Sequence, residues 1–346
     1  MTATGAETRQ LPRRNAGRVI VRRTAVVVVL TVAVMAGLAA SLALGAVDIP
    51  LATVIDALTG NADPGPLRQI VLDLRLPRTV EAVAVGAALG VAGALLQGAL
   101  ANPLASPDVI GVTGGAGFGA VLILIVFPGS IALLPVGALF FGLLAAGLVF
   151  SIAWAGPNAG GAGRLILAGI AIAALFGAGM TSIMVAYPDR VQSALFFIAG
   201  GLTSDGWADL KVVWPYFAVG FVIAIALARP LDRLALGDDV AASLGARPRL
   251  IRLISGVGAA LLAAAAASLA GLLGFLGLVV PHAVRLASGT SSHTYVLPVS
   301  GLGGSALLLA GDTLARTVKA PIELPVGPFM VVIGVPLFLF LLRRAV

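Results

Sequence analysis

The sequence predicts an all-α, polytopic membrane protein with ten transmembrane helices and a cytoplasmic loop between the sixth and seventh. Three observations carry that reading. Of 346 residues 59% are hydrophobic and only 11% are charged, where a soluble domain carries about a quarter charged residues. The mean hydropathy is +1.07. The charges gather in a few islands separated by apolar runs, and at about 20 residues per crossing the chain has room for eight to ten spans.

Residues 1–23 form a basic cytoplasmic tail and 24–346 a single transmembrane domain. Arg9, Arg13, Arg14, Arg18, Arg22 and Arg23 place the start of the first span, 24–46, in the cytoplasm. That run is longer than the core of a signal peptide. An external segment, 49–74, is punctuated by Pro50, Pro64 and Pro66 and holds a short helix around 53–58. The second span, 75–100, presents Gly86, Gly90 and Gly93, a small-residue surface suited to close helix packing. Its run breaks at 102–108, and a short, glycine-rich third span returns over 109–126.

The fourth span is 131–154, followed by an inner loop at 156–163 and a fifth span at 165–186. An apolar helix at 191–206 lies near the outer surface, and the sixth span covers 211–228. The longest polar island then follows at 229–252. The seventh span is 254–270, 271–277 turn the chain tightly, and the eighth span returns to about 286. The ninth, 295–314, leads to an external turn with Arg316, Lys319 and Glu323, and the tenth covers 324–342. On this path 15 of the 22 Arg and Lys residues lie inside and seven outside, as the positive-inside rule requires.

In the island, Leu234, Leu236, Val240, Leu244 and Leu250 keep a helical spacing that Gly245 and Pro248 interrupt. The pattern predicts two short amphipathic helices offered to a soluble partner; a merely solvated inter-span loop has the same pattern. Arg75 and Arg78, three apart at an outer helix start, fit either anion contact or anchoring by snorkelling. Arg316 sits one turn after Asp312. Glu81 and Asp312 each have an arginine within a turn, which favours structural pairing over a proton relay. Asn102, Pro103 and Leu104 read either as a cavity-lining break or as a plain turn. His282 reads as a capping or packing residue.

Several chemistries are excluded. The absence of Cys and the presence of two His remove disulfides, thiolate sites and a His-rich metal relay. Gly115, Gly117 and Gly119 follow no strand, and no Gly-Lys-Ser/Thr occurs, so the chain is expected to bind no nucleotide. No Ser-His-Asp arrangement or midplane carboxylate pair suggests hydrolysis or proton coupling. The net charge of +7 reads as membrane orientation, not nucleic-acid binding.

Arg75-Leu76-Pro77-Arg78, Gly86 and Gly90, Gly93 to Gln97, Asn102-Pro103-Leu104 and Pro107 to Gly111 resemble the FecCD-type permeases of ATP-driven importers for iron-siderophores, haem and cobalamin. So do Leu234 to Asp238, Ala242 to Gly245, Gly274 to His282 and Glu323 to Gly327. The resemblance implies a permease in a bacterial cytoplasmic membrane, both termini inside, paired with a second copy or a paralogue. Two ABC ATPase subunits and an extracytoplasmic solute-binding protein complete the complex, and ATP and Mg belong to the ATPase, with no cofactor, metal or catalytic residue on this chain. It implies that Arg75, Arg78 and Arg316 receive acidic side chains of the binding protein, and that Leu234, Leu236, Gly237, Asp238, Ala242, Leu244 and Gly245 couple to the ATPase. It also implies a cytoplasmic gate at Asn102, Pro103 and Leu104 with Gly161, Ala162 and Gly163, a trio that departs from the hydroxyl side chains of relatives. Met180, Thr181, Ser182 and Met184 are expected to offer a weakly polar pathway wall. A ferric siderophore is the expected cargo, with cobalamin or haem as the alternative and a proton-coupled carrier as the reading from a different class.

Overall fold

The computed structural model describes residues 14–155, 162–202 and 206–345. Fourteen α-helices follow in order: α1 (Arg14–Ala43), α2 (Leu51–Thr59), α3 (Pro66–Gln69), α4 (Leu76–Ala99), α5 (Val112–Val121), α6 (Leu134–Trp154) and α7 (Ala162–Ala186). Then come α8 (Val191–Ala199), α9 (Trp207–Leu234), α10 (Asp238–Ser243), α11 (Pro248–Ala270), α12 (Leu276–Ser288), α13 (His293–Thr317) and α14 (Val326–Ala345). Among the described residues seven helices are long and apolar enough to cross a membrane, and the shorter apolar helices Val112–Val126, Leu276–Ser288 and Val326–Phe340 bring the set to ten. The all-helical, multi-pass reading stands.

The bundle is built around α4, which is packed against α13, α11, α12 and α9. Its glycine face explains why. A Cβ on Gly86 would stand 2.4 Å from the Gly304 carbonyl oxygen, one on Gly90 2.2 Å from that of Ser300, and one on Gly93 1.8 Å from that of Gly277. Lipid is as apolar as leucine, so helices in a membrane associate by close packing, and small residues let backbones touch. Ser305 adds a hydroxyl donated 2.8 Å to the Val83 carbonyl. On the other flank Gly115 and Gly119 of α5 meet the carbonyls of Phe141 and Gly137 on α6 in the same way.

Three expectations need correction. α1 begins at Arg14, ahead of the predicted span start at 24, and Arg18, Arg22 and Arg23 carry the helix because arginine is a good helix former. The eighth crossing is not one full helix. α12 has 13 residues, about 20 Å at 1.5 Å per residue against the roughly 30 Å of hydrocarbon, and the expected tight turn precedes it, a non-helical segment at 271–275 in which Gly271 and Phe275 take positive φ. That segment is held by α8 and not by lipid: Leu272 N–H donates 3.2 Å to the Phe197 carbonyl, as backbone at membrane depth requires. Finally, the polar island holds one free-standing helix, α10, instead of two. α9 runs on to Leu234 and α11 starts at Pro248, since the arginines continue a helix whose apolar face Leu227, Leu231 and Leu234 stays buried.

Candidate functional site

Two ends of the bundle and the break between α4 and α5 concentrate the chemistry. At one end, Gly237 (φ +99°) starts α10 and Gly245 (φ +76°) closes it, conformations that glycine adopts freely. Leu236, Val240 and Leu244 are 60%, 48% and 55% exposed, while Ala241 and Leu234 are buried. Val240 on this short helix, Leu236 before it and Leu244 after it leave three apolar side chains bare among Asp239, Arg247 and Arg249, the composition of a protein-contact patch. Leu234 leaves that surface, because it packs inward on α9; Val240 joins it. Ala242 is exposed beside them.

Asp238 has a different task. Its two oxygens accept from Nη1 and Nη2 of Arg252, both at 2.8 Å, and these hydrogen bonds hold its carboxyl below the usual carboxylate range. Nε of the same arginine donates 3.1 Å to the Ala99 carbonyl. One guanidinium thus ties α10, α11 and the last turn of α4, where the helix dipole favours positive charge. Arg285 joins that turn through Gln97, whose amide donates to the Leu278 carbonyl. Asp232 on α9 accepts from the His293 backbone N–H and from Ser292 Oγ, fastening the start of α13.

The helix break begins one residue beyond this tie. Ala101 takes φ +47°, Asn102 Oδ1 accepts from the Leu104 N–H at 2.9 Å, and Pro103 and Leu104 are exposed. Of the other expected gate residues, Gly161 lies outside the described residues and Ala162 opens α7. A Cβ on Gly163 would meet nothing within 4 Å, so it does not close on the break. α7 instead meets the break at Gly169, where a Cβ would lie 1.7 Å from the Val109 carbonyl oxygen.

At the opposite end the three expected docking arginines form a knot. Arg75, 7% exposed, donates to the carbonyls of Leu42 and Ala43 at 2.8 Å and to that of Val47, satisfying the orphan carbonyls that end α1. Arg316, 4% exposed, pairs with Asp312 at 3.0 Å and donates to Ser41 Oγ at 2.9 Å. Arg78 lies 2.9 Å from Asp312 and 2.6 Å from Glu323, whose side chain is 46% exposed. All three arginines line one small cavity together with Glu323, and Glu323 is its most exposed charged side chain. Arg75 and Arg316 lie at the floor of that cavity, where the end of α1 and the buried Asp312 carboxylate already engage their guanidinium groups. The expected pairing of Asp312 with arginine is present.

The pathway residues divide. Thr181 and Ser182 are exposed and return their hydroxyls to the carbonyls of Gly177 and Ala178, whereas Met180 and Met184 pack on Val121, Ile125 and Ala194. They do not make one wall. Inspection of the sequence missed Phe275. This non-glycine residue takes φ +65° at the start of the half-helix α12, with its Cβ beside Gly334 of α14. Backbone held so far from its usual basin marks a constrained position. The glycine run 271–277 was the signal for it.

The FecCD transport family matches residues 30–344. The ferric enterobactin transport system permease protein FepD of Escherichia coli is 37% identical over 95% of this chain and 98% of its own length. The cobalamin import system permease protein BtuC of Halobacterium salinarum is 39% identical over 81% of this chain and 75% of its own. A solved inward-facing structure, titled as a metal-chelate type ABC transporter, superposes with a TM-score of 0.79 at 28% identity, covering 91% of this chain and 97% of that one. With the α4-centred bundle, the exposed α10 and the break after Ala99 in place, this chain belongs to the FecCD transport family.

Proposed function

We propose that this chain is the permease subunit of an ATP-driven importer that carries a ferric-siderophore chelate from a solute-binding protein into a bacterial cytoplasm. The observation that carries the reading is the bare apolar face of α10, tied through Arg252 to the end of α4 where the helix breaks. An ATPase seated on Leu236, Val240 and Leu244 would move α10, and the guanidinium would pass that motion to Asn102, Pro103 and Leu104, the proposed gate. Packed helices shift between discrete arrangements, so a small displacement at one end switches the other. ATP and Mg act on the partner, and this chain contributes no bond-breaking step.

The orientation follows from charge: the α10 end lies in the cytoplasm, as do both termini, and the Arg78–Glu323 pair lies outside. There Arg78 would exchange Glu323 for an acidic side chain of the binding protein, a charge-assisted contact with direction. α7 leaves Leu167, Ile170, Leu175 and Val185 between 61% and 75% exposed. A second permease, this chain or a paralogue, would cover that face and enclose the path. Cobalamin is the second cargo reading, supported by the 39% identity to the Halobacterium salinarum protein.

Uptake into vesicles holding the permease, its ATPases and the binding protein tests the proposal. Ferric siderophore should enter only with ATP hydrolysis. Uptake that ignores ATP and follows a proton gradient would replace the importer by a secondary carrier, and cobalamin entering in place of the ferric chelate would change the cargo alone.

A further inference from the structure

A groove of about 860 Å³ runs between α4, α9 and α13, away from the α7 face assigned to a second permease. Ala87 and Val91, Phe221 and Ile225, and Leu297 and Gly301 form its walls. Its lining extends along α13 from Thr294 to Ser305, about 16 Å at 1.5 Å per residue, which is one half of a hydrocarbon core roughly 30 Å thick. One leaflet fits that length.

The end of the groove near α10 is charged. Arg229 and Thr294 line it, and Arg233 follows Arg229 by one helical turn, on the same face. Both arginines and Thr294 are exposed. Among the described residues neither guanidinium has an acceptor or acidic partner. Asp232, the carboxylate between them, is turned to Ser292 and His293 at the start of α13. Two unclaimed guanidinium forks therefore stand at headgroup level over a slot of acyl-chain length. Arginine matches phosphate oxygens in pairs, and basic pockets between membrane helices select acidic lipid headgroups.

We propose that this groove binds one acidic phospholipid, its phosphodiester held by Arg229, Arg233 and the Thr294 hydroxyl, with one tail along α4 and α13. The lipid would brace α9 against α13 beside α10. Charge selects it over a zwitterionic lipid, and the groove holds the tail in either case.

Native mass spectrometry of the assembled complex in mild detergent, supplied with vesicles of phosphatidylglycerol or phosphatidylcholine, tests this. The wild type should keep one phosphatidylglycerol under conditions that strip phosphatidylcholine. The double variant R229Q/R233Q should lower that retention about tenfold and leave phosphatidylcholine unchanged. Ile225→Trp fills the slot from a position that is 77% exposed, where the fold has little to lose, and should also displace the phosphatidylglycerol. Unchanged retention by either variant, or equal retention of the two lipids by the wild type, overturns the proposal.

Discussion

α1 and α4 are both apolar enough to cross a membrane, yet they are enclosed to opposite degrees. The most apolar 18-residue window of α1 has a mean hydropathy of 2.5 and is 11% buried within the chain; that of the Pro66–Ala99 helix has 1.9 and is 83% buried. The less hydrophobic helix is the interior one. In water that order would be perverse, but a lipid-facing valine such as Val29 or Val32 has lost nothing, and what draws α4 inward is the closeness its glycines allow. α10 completes the comparison. It also leaves apolar side chains bare, but among charges, where lipid cannot cover them, so the uncovered face of α1 suits a bilayer and that of α10 suits the partner proposed above.

The strongest way to break this comparison is to give α4 a side chain where it has none. Gly93→Leu must displace the Gly277 backbone, at a cost of about 3 kcal/mol or more, and should abolish recovery of folded permease from membranes. Next, Leu244→Asp puts a carboxylate on the α10 face. It should weaken co-purification with the ATPase about 100-fold, the effect of roughly 2.7 kcal/mol, with the permease fold intact by thermal melting.

Arg252→Met cuts the tie between the two helices and leaves each in place. Loss of hydrogen bonds to a charged group, about 1.5 kcal/mol, should reduce ATP-coupled uptake about tenfold while ATPase docking persists; undiminished uptake would deny the tie any part in coupling. The Asp238–Arg252 pair also sets a pH expectation. Since the folded carboxyl titrates below its ordinary value of about 4, the pair is complete above that value and is lost as pH falls through the lowered one. The protection of α10 amides, taken as the exchange rate relative to that of an unstructured peptide at the same pH, should therefore stay flat from pH 5 to 8 and fall only in stronger acid, a pH dependence that Asp238→Asn removes. The smallest effect belongs to α1, where Val32→Leu should change stability by less than about 0.5 kcal/mol.

Much of this could be read before any coordinates. The number of apolar helices, the glycine face of α4, the break near Asn102 and the apolar pattern of the island all follow from spacing along one element. The roles of Arg75, Arg316 and Asp238 could not be read in that way. Each guanidinium or carboxylate had several partners within reach of its stem, and partners on other elements completed the choice: the end of α1 for Arg75, Ser41 beside the nearby Asp312 for Arg316, Arg252 of α11 for Asp238. Leu234 was misassigned for a related reason, since periodicity says which residues share a face but not whether a neighbouring helix already covers it.

Sequence alone determined that this chain lives in a membrane and which segments are helical, because both depend on local apolar content and on backbone hydrogen bonds closed within a segment. Only the tertiary structure decided that α4 lies at the centre, that a non-helical turn packed on α8 precedes the short eighth helix, and which charges remain free to meet another molecule. Those outcomes depend on how closely one backbone approaches another, and that distance is set by pairs of residues about two hundred positions apart, such as Gly86 with Gly304 and Gly93 with Gly277.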